Sequence, residues 1–185
     1  MRTTIATTTL LAVLAASVAA AAPATADRIR GTSGTDALMG TPRSDSMRAR
    51  GGDDDLVGEE GDDRMFGGLG RDLLLGGDGA DLLSGGAGPD ILLGGSGRDS
   101  IVGGPGRDQV RAGAGQDWVE DGPGRDDVRL GRGDDRYAVS SIDGARDVVR
   151  CGPGDDTVYY LDLDEEDPLD ELIGCETVEH VTESD

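Results

Sequence analysis

GGLGRDLLL (67–75), GGDGADLLS (76–84), GGAGPDILL (85–93), GGSGRDSIV (94–102) and GGPGRDQVR (103–111) follow one another without a spacer. Extending that nine-residue frame in both directions keeps an aspartate in the sixth place of every unit. These are Asp36, Asp45, Asp54, Asp63, Asp72, Asp81, Asp90, Asp99, Asp108, Asp117, Asp126 and Asp135. Two places after each stands an apolar residue, from Leu38 and Met47 to Val128 and Tyr137. The places have separate physical uses. Glycine permits positive φ and close backbone approach, which a tight six-residue turn needs. The turn's carbonyls, with the aspartate that ends it, offer the hard oxygen ligands that suit Ca²⁺. The last three residues suit a short strand whose middle, apolar side chain points inward while its neighbours point out.

Composition alone leaves two readings open. The chain has 185 residues, 32 of them glycine, 3% aromatic content and a net charge of -21. Such a composition fits either a disordered acidic chain or a repeat fold in which glycine and aspartate hold fixed places. Twelve units in unbroken register decide for the repeat. No lysine is present, so every fixed positive charge is arginine. The acidity argues against nucleic acid as a partner, because phosphate binding needs a basic patch, and favours multivalent cations.

The unit G-G-x-G-x-D-x-U-x resembles the RTX, or hemolysin-type, calcium-binding repeat, and the likeness covers most of the chain after residue 26. The resemblance implies an all-β, right-handed parallel β-roll with two repeats per coil and a row of Ca²⁺ ions along each edge. Each ion would lie between turns two repeats apart, sharing aspartates and backbone carbonyls. On this chain Asp72 would pair with Asp90, Asp81 with Asp99, Asp90 with Asp108, Asp99 with Asp117, Asp108 with Asp126 and Asp117 with Asp135. The candidate ligands are those residues together with Asp54 and Asp63, whose units ARGGDDDLV and GEEGDDRMF lack the opening glycine pair and so predict weaker sites. Asp36 and Asp45 lie in the least regular units, with Pro42 and Arg43 disturbing the second turn. They are expected to be ordinary solvated turn residues.

Without metal the roll would stack aspartates on adjacent turns about 4.8 Å apart. An inward column one apolar residue wide per repeat buries too little to offset the ordering of so many glycines. Metal binding and folding are therefore expected to be one event.

The ends carry separate signals. Arg2, the apolar stretch Leu10–Ala22 and Ala24-Thr25-Ala26 read as a secretory signal peptide over residues 1–26, cleaved before Asp27. A membrane anchor is the competing reading, against which stand the shortness of the run and the lack of a basic stop-transfer flank. The regular roll is expected over 27–138. After Ala138 the register breaks, with Val139, Ser140 and Ser141 as extra residues. Two further units follow, IDGARDVVR (142–150) and CGPGDDTVY (151–159), so 139–185 reads as degenerate repeats and a C-terminal cap. Two cysteines in an exported chain suggest a disulfide, Cys151–Cys175, fastening an end whose strand edges need cover. A metal-thiolate or redox site is the alternative, with only His180 available and no CxxC spacing. RTX exoproteins of Gram-negative bacteria carry a C-terminal export signal. A cleaved leader makes this chain resemble the short, conventionally exported repeat proteins of high-GC bacteria, as does the closing Cys-Gly-Pro-Gly-Asp-Asp unit followed by Cys-Glu-Thr-Val.

Nothing in the sequence predicts an enzyme. Only Asp27–Arg30 stand between the leader and the first repeat, and neither HExxH nor GxSxG occurs. Acid runs such as Asp53-Asp54-Asp55 are explained by the repeat better than by glycosidase chemistry. With two repeats per coil, the outward places of one sheet bring Val57, Leu73, Leu75, Ile91 and Leu93 together. The other sheet is mixed, with Arg64, Phe66, Leu82, Ser84, Ser100, Val102, Trp118 and Glu120. A contiguous apolar face suits dimerisation or docking of a protein or polymer, and strand propensity alone explains it equally well. The sequence thus predicts an exported calcium-binding structural or interaction module. A calcium-dependent adhesin or matrix component is the alternative, and a passive calcium buffer a third reading.

Overall fold

Every second repeat lies on the same sheet, and stacking the coils buries the inward column. The computed structural model describes residues 27–139, 143–161 and 170–181, so the expected signal peptide lies outside the described residues. Seventeen strands run from β1 (Arg28–Arg30) to β17 (Thr177–Val181), with no helix among the described residues. Odd-numbered strands form a nine-stranded sheet and even-numbered strands an eight-stranded one. Every pairing is parallel. Leu56 lies beside Leu74, and Leu74 beside Leu92. Eighteen residues, two repeats, therefore make one coil of a β-solenoid, as the resemblance implied.

The strands are longer than the three residues expected. β6 (Leu73–Asp78) and β8 (Ile91–Ser96) each run six residues into the next unit's glycine pair, so Gly77 also lies in register with Gly95. Their burial alternates, with Leu74 and Gly76 both turned inward. The core column is therefore two places wide per repeat, a correction to the one-residue column. The eighth place supplies Met47, Leu56, Met65, Leu74, Leu83, Leu92, Ile101, Val110, Val119, Val128 and Tyr137, all buried. The first place, glycine in most units, supplies the buried apolar residues Ala49, Ala112, Leu130, Val139, Cys151 and Tyr160. The extra column was missed because glycine carries no side chain by which to read its direction.

At the register break the coil widens and the solenoid goes on. Val128 lies beside Val149 and Tyr137 beside Val158, three residues more than the regular eighteen. The segment expected as degenerate repeats and cap continues both sheets through β14 (Val148–Arg150), β15 (Thr157–Leu161), β16 (Glu171–Ile173) and β17. Cys151 and Cys175 are joined, with their Cα atoms 5.2 Å apart. The bond links the ends of neighbouring strands β14 and β16 and closes the last coil. In the chain-entropy model a loop of 24 residues contributes about 3.5 kcal/mol.

On the outer face of the eight-stranded sheet, Val57, Leu75 and Leu93 are register neighbours, as are Leu73 and Ile91. All five are half-buried, each covered partly by the next. The column continues as Arg111, Arg129 and Arg150. The other sheet's outer face is mixed, with Arg48 over the Phe66 ring at 4.9 Å and Trp118 stacked on Tyr159 at 6.1 Å.

Candidate metal centres

The aspartates stand where each turn enters its strand, so the coil repeat stacks them into one rail along each edge. Each rail is held the same way. The Asp72 backbone N–H donates to Oδ1 of Asp90 at 2.8 Å, Asp90 donates to Asp108 at 2.8 Å, and Asp108 to Asp126 at 2.6 Å. On the opposite edge Asp81 donates to Asp99, Asp99 to Asp117 and Asp117 to Asp135, at 2.8–2.9 Å. All six pairs implied by the resemblance are thus direct neighbours, and Asp54 and Asp63 join them through Asp72 and Asp81.

One carboxylate oxygen is engaged by the rail; the other is not. Oδ2 of Asp54, Asp63, Asp72, Asp81, Asp90, Asp99, Asp108, Asp117, Asp126, Asp135 and Asp156 is buried and accepts no hydrogen bond. A buried polar atom without a partner costs about 1–3 kcal/mol, and more when charged. A row of such atoms calls for a ligand that supplies positive charge.

The turn glycines show where these oxygens point. A Cβ built on Gly85 would lie 2.5 Å from Asp90 Oδ2 and 2.7 Å from the Gly103 carbonyl oxygen of the next coil. A carboxylate and a backbone carbonyl from adjacent coils therefore converge on the space that glycine's missing side chain leaves. All-oxygen donors of mixed carboxylate and carbonyl type are what Ca²⁺ takes, and a thiolate- or imidazole-seeking metal does not. The residues fit calcium.

Burial governs the electrostatics. It pushes the carboxyls of Asp63, Asp108 and Asp135 up to about 6, those of Asp90 and Asp99 to about 7 and that of Asp126 to about 8. Asp54, Asp72, Asp81, Asp117 and Asp156 are raised by the same cause. The N–H donated along the rail opposes the shift without cancelling it, and for Asp90 the carboxylates of Asp108 and Asp72 add to it. Metal-free carboxyls in the roll thus take up protons at higher pH than a free aspartate does, and a bound cation would compete with those protons.

Asp36 and Asp45 differ for a reason other than the one expected. Asp45 is buried, at 2% exposure, not solvated. Its Oδ1 accepts the Asp27 N–H, and its Oδ2 accepts both the backbone N–H and the hydroxyl of Thr41, at 2.6 and 3.0 Å. Asp36 Oδ2 is bound identically by Thr32. Threonine in the second place of the unit supplies the donors that the later units lack. Arg50 and Glu59 stand where glycine usually does and take positive φ, 91° and 84°, at about 1–2 kcal/mol each. The Asp54 and Asp63 oxygens keep the common arrangement.

Three residues outside the candidate ligand set belong with the site. Asp156 carries an orphan oxygen and accepts the Asp135 N–H, and Asp147 accepts the Asp126 N–H. Both hold the sixth place of their units, displaced by the three extra residues, so counting past the break finds them. Asp121 is the third, a buried carboxylate in a first place that the repeat pattern gives to glycine.

The model of the RTX calcium-binding nonapeptide repeat, written as four copies, matches residues 39–74, 75–110 and 102–137. The chain belongs to the RTX calcium-binding nonapeptide repeat family. No curated protein matches it. RTX nonapeptide repeats bind calcium, which agrees with the donor set that the rails present. The matched span runs from the end of the Asp36 unit to Tyr137 and takes in every aspartate of the rails from Asp45 to Asp135.

Proposed function

We propose that this RTX chain is an exported protein whose roll orders on meeting external calcium and then serves as a structural or interaction module. Its ions would be held by Asp54, Asp63, Asp72, Asp81, Asp90, Asp99, Asp108, Asp117, Asp126 and Asp135, with Asp156 added. The observation that carries this reading is the row of buried Oδ2 atoms without donors. Bound calcium supplies the positive charge those oxygens lack and cross-links neighbouring coils. In its absence, like charges face one another along both rails, and the glycine-rich turns have little else to order them. Export rests on the leader-like residues 1–26 and on the paired cysteines.

A calcium titration followed by far-ultraviolet circular dichroism and Trp118 fluorescence tests the reading. Cooperative gain of β signal is expected in the range of extracellular calcium modules, about 10⁻⁴–10⁻³ M, and not with magnesium. Full β signal in chelator would refute metal-coupled folding.

The register-matched Val57, Leu73, Leu75, Ile91 and Leu93 favour a second reading, a calcium-dependent adhesin or matrix component docking through that face. Leu73→Asp with Ile91→Asp would abolish dimer formation in sedimentation, or attachment to cells or polymer, while leaving the calcium titration unchanged. Unaltered association in the double variant would remove it.

A further inference from the structure

Two departures from the repeat occur together and meet on the inward side of one sheet. Asp121 replaces the first-place glycine, and in the twelve-unit array it is the one acidic residue in that place. Tyr137 occupies the eighth place, where the other eleven units carry leucine, methionine, isoleucine or valine. Both are buried, at 3% and 1% exposure. The Tyr137 hydroxyl donates to Asp121 Oδ2, and the Gly122 N–H donates to Asp121 Oδ1 at 2.9 Å. The phenol comes from β13 (Arg136–Val139), the neighbouring strand of the same sheet one coil on, and fixes the carboxylate that follows β11 (Trp118–Glu120).

That carboxylate reaches two aspartates of its own rail. Carboxylate oxygens of Asp121, Asp126 and Asp147 lie within 4.8 Å of one another, and all three residues are buried. Asp126 is 2% exposed, and its Oδ2 accepts no hydrogen bond while its Oδ1 takes the Asp108 N–H. Asp126 therefore brings to the cluster a carboxylate with one buried oxygen that has no donor, and the cluster has one carboxylate more than an ordinary step of the rail.

We propose that Asp121, Asp126 and Asp147 hold one Ca²⁺ in a three-carboxylate site that binds more tightly than the repeat sites, with Tyr137 as the positioning residue for Asp121. The inference rests on the calcium reading above and adds a rank order within it. Calcium affinity rises with ligand charge count and site rigidity. Asp121 adds the charge, and the Tyr137 and Gly122 bonds add the rigidity.

Calorimetric titration of the full chain with Ca²⁺, compared with Asp121→Gly, Asp121→Asn and Tyr137→Phe, tests it. Glycine is the residue other turns carry, so Asp121→Gly keeps the fold and the remaining sites. Asp121→Asn removes charge at nearly constant volume. The wild-type chain is expected to show one ion bound ahead of the rest. Both Asp121 variants are expected to weaken that class about tenfold, towards the repeat sites. Tyr137→Phe is expected to weaken it severalfold while the other sites keep their affinity. A general loosening of the fold would weaken all classes together and would count against the positioning role. A first class unchanged or tightened in both Asp121 variants would overturn the site. Absence of calcium binding in the wild-type chain would instead overturn the calcium reading itself.

Discussion

The first coil and the middle of the array place the same aspartate at the same point of the repeat and satisfy it in opposite ways. Asp36 and Asp45 meet threonine in the second place, whose N–H and hydroxyl both donate to Oδ2. Asp54 to Asp135 meet glycine, arginine or glutamate there with positive φ, or a turn of similar build, and their Oδ2 atoms have no donor. Thr32 and Thr41 are not among the positive-φ residues. The first coil thus turns its N–H towards its own carboxylate, and the later coils turn theirs away. One substitution in the turn decides whether a carboxylate is a structural acceptor or a cation ligand in waiting. The coil that starts the roll thus satisfies its carboxylates with its own donors, and the array built on it leaves one oxygen of each without any.

The comparison can be broken most severely by forcing one kind of turn onto the other. Gly86 has φ 109°, and a side chain there would run into the Gly68 carbonyl of the preceding coil. Gly86→Thr is expected to cost more than about 4 kcal/mol and to leave the central coils unfolded at any calcium concentration, read by circular dichroism. Next in size is a paired change. Asp90→Asn should lower the calcium stoichiometry and move the folding midpoint about tenfold upward, whereas Asp45→Asn should leave the stoichiometry unchanged by calorimetry.

Acidity gives a smaller, graded effect. In the metal-free roll the rail carboxyls lie above their unfolded value of 3.8, at about 6 for Asp63, about 7 for Asp90 and about 8 for Asp126. The folded form therefore binds more protons than the unfolded form between those limits, and its stability falls as pH rises through the window. In chelator, β signal should grow as pH is lowered from 8 towards 4, while calcium affinity should fall over the same range. Loss of β signal on acidification in chelator would contradict the burial of the rails. The smallest effect belongs to the first coil. Thr41→Val removes one hydroxyl donor and should cost about 1 kcal/mol by chemical denaturation in calcium, with no change in the ions bound.

Much of this was legible because the repeat states the geometry many times over. The period of nine gave the repeated places, and the resemblance to the RTX repeat implied the two-repeat coil and the Asp72–Asp90 pairing, which the register of Leu56, Leu74 and Leu92 matches. The second inward place was hidden wherever glycine fills it. The role of Thr41 was hidden because a hydroxyl four residues before an aspartate is common in turns that do nothing similar. Asp121 was hidden because an aspartate in an acidic chain draws no attention until its neighbours are known.

The sequence by itself determined the period, the class of fold and the placing of an aspartate, a hard oxygen donor, in every unit. Each of these is a local property copied from unit to unit. Only the tertiary structure decided which aspartates keep a free oxygen, how far the solenoid runs past the break at 139, and that Tyr137 and Asp121 meet. Those depend on contacts between residues a coil apart, where burial removes water as an alternative partner and leaves each polar atom with what the fold brings to it.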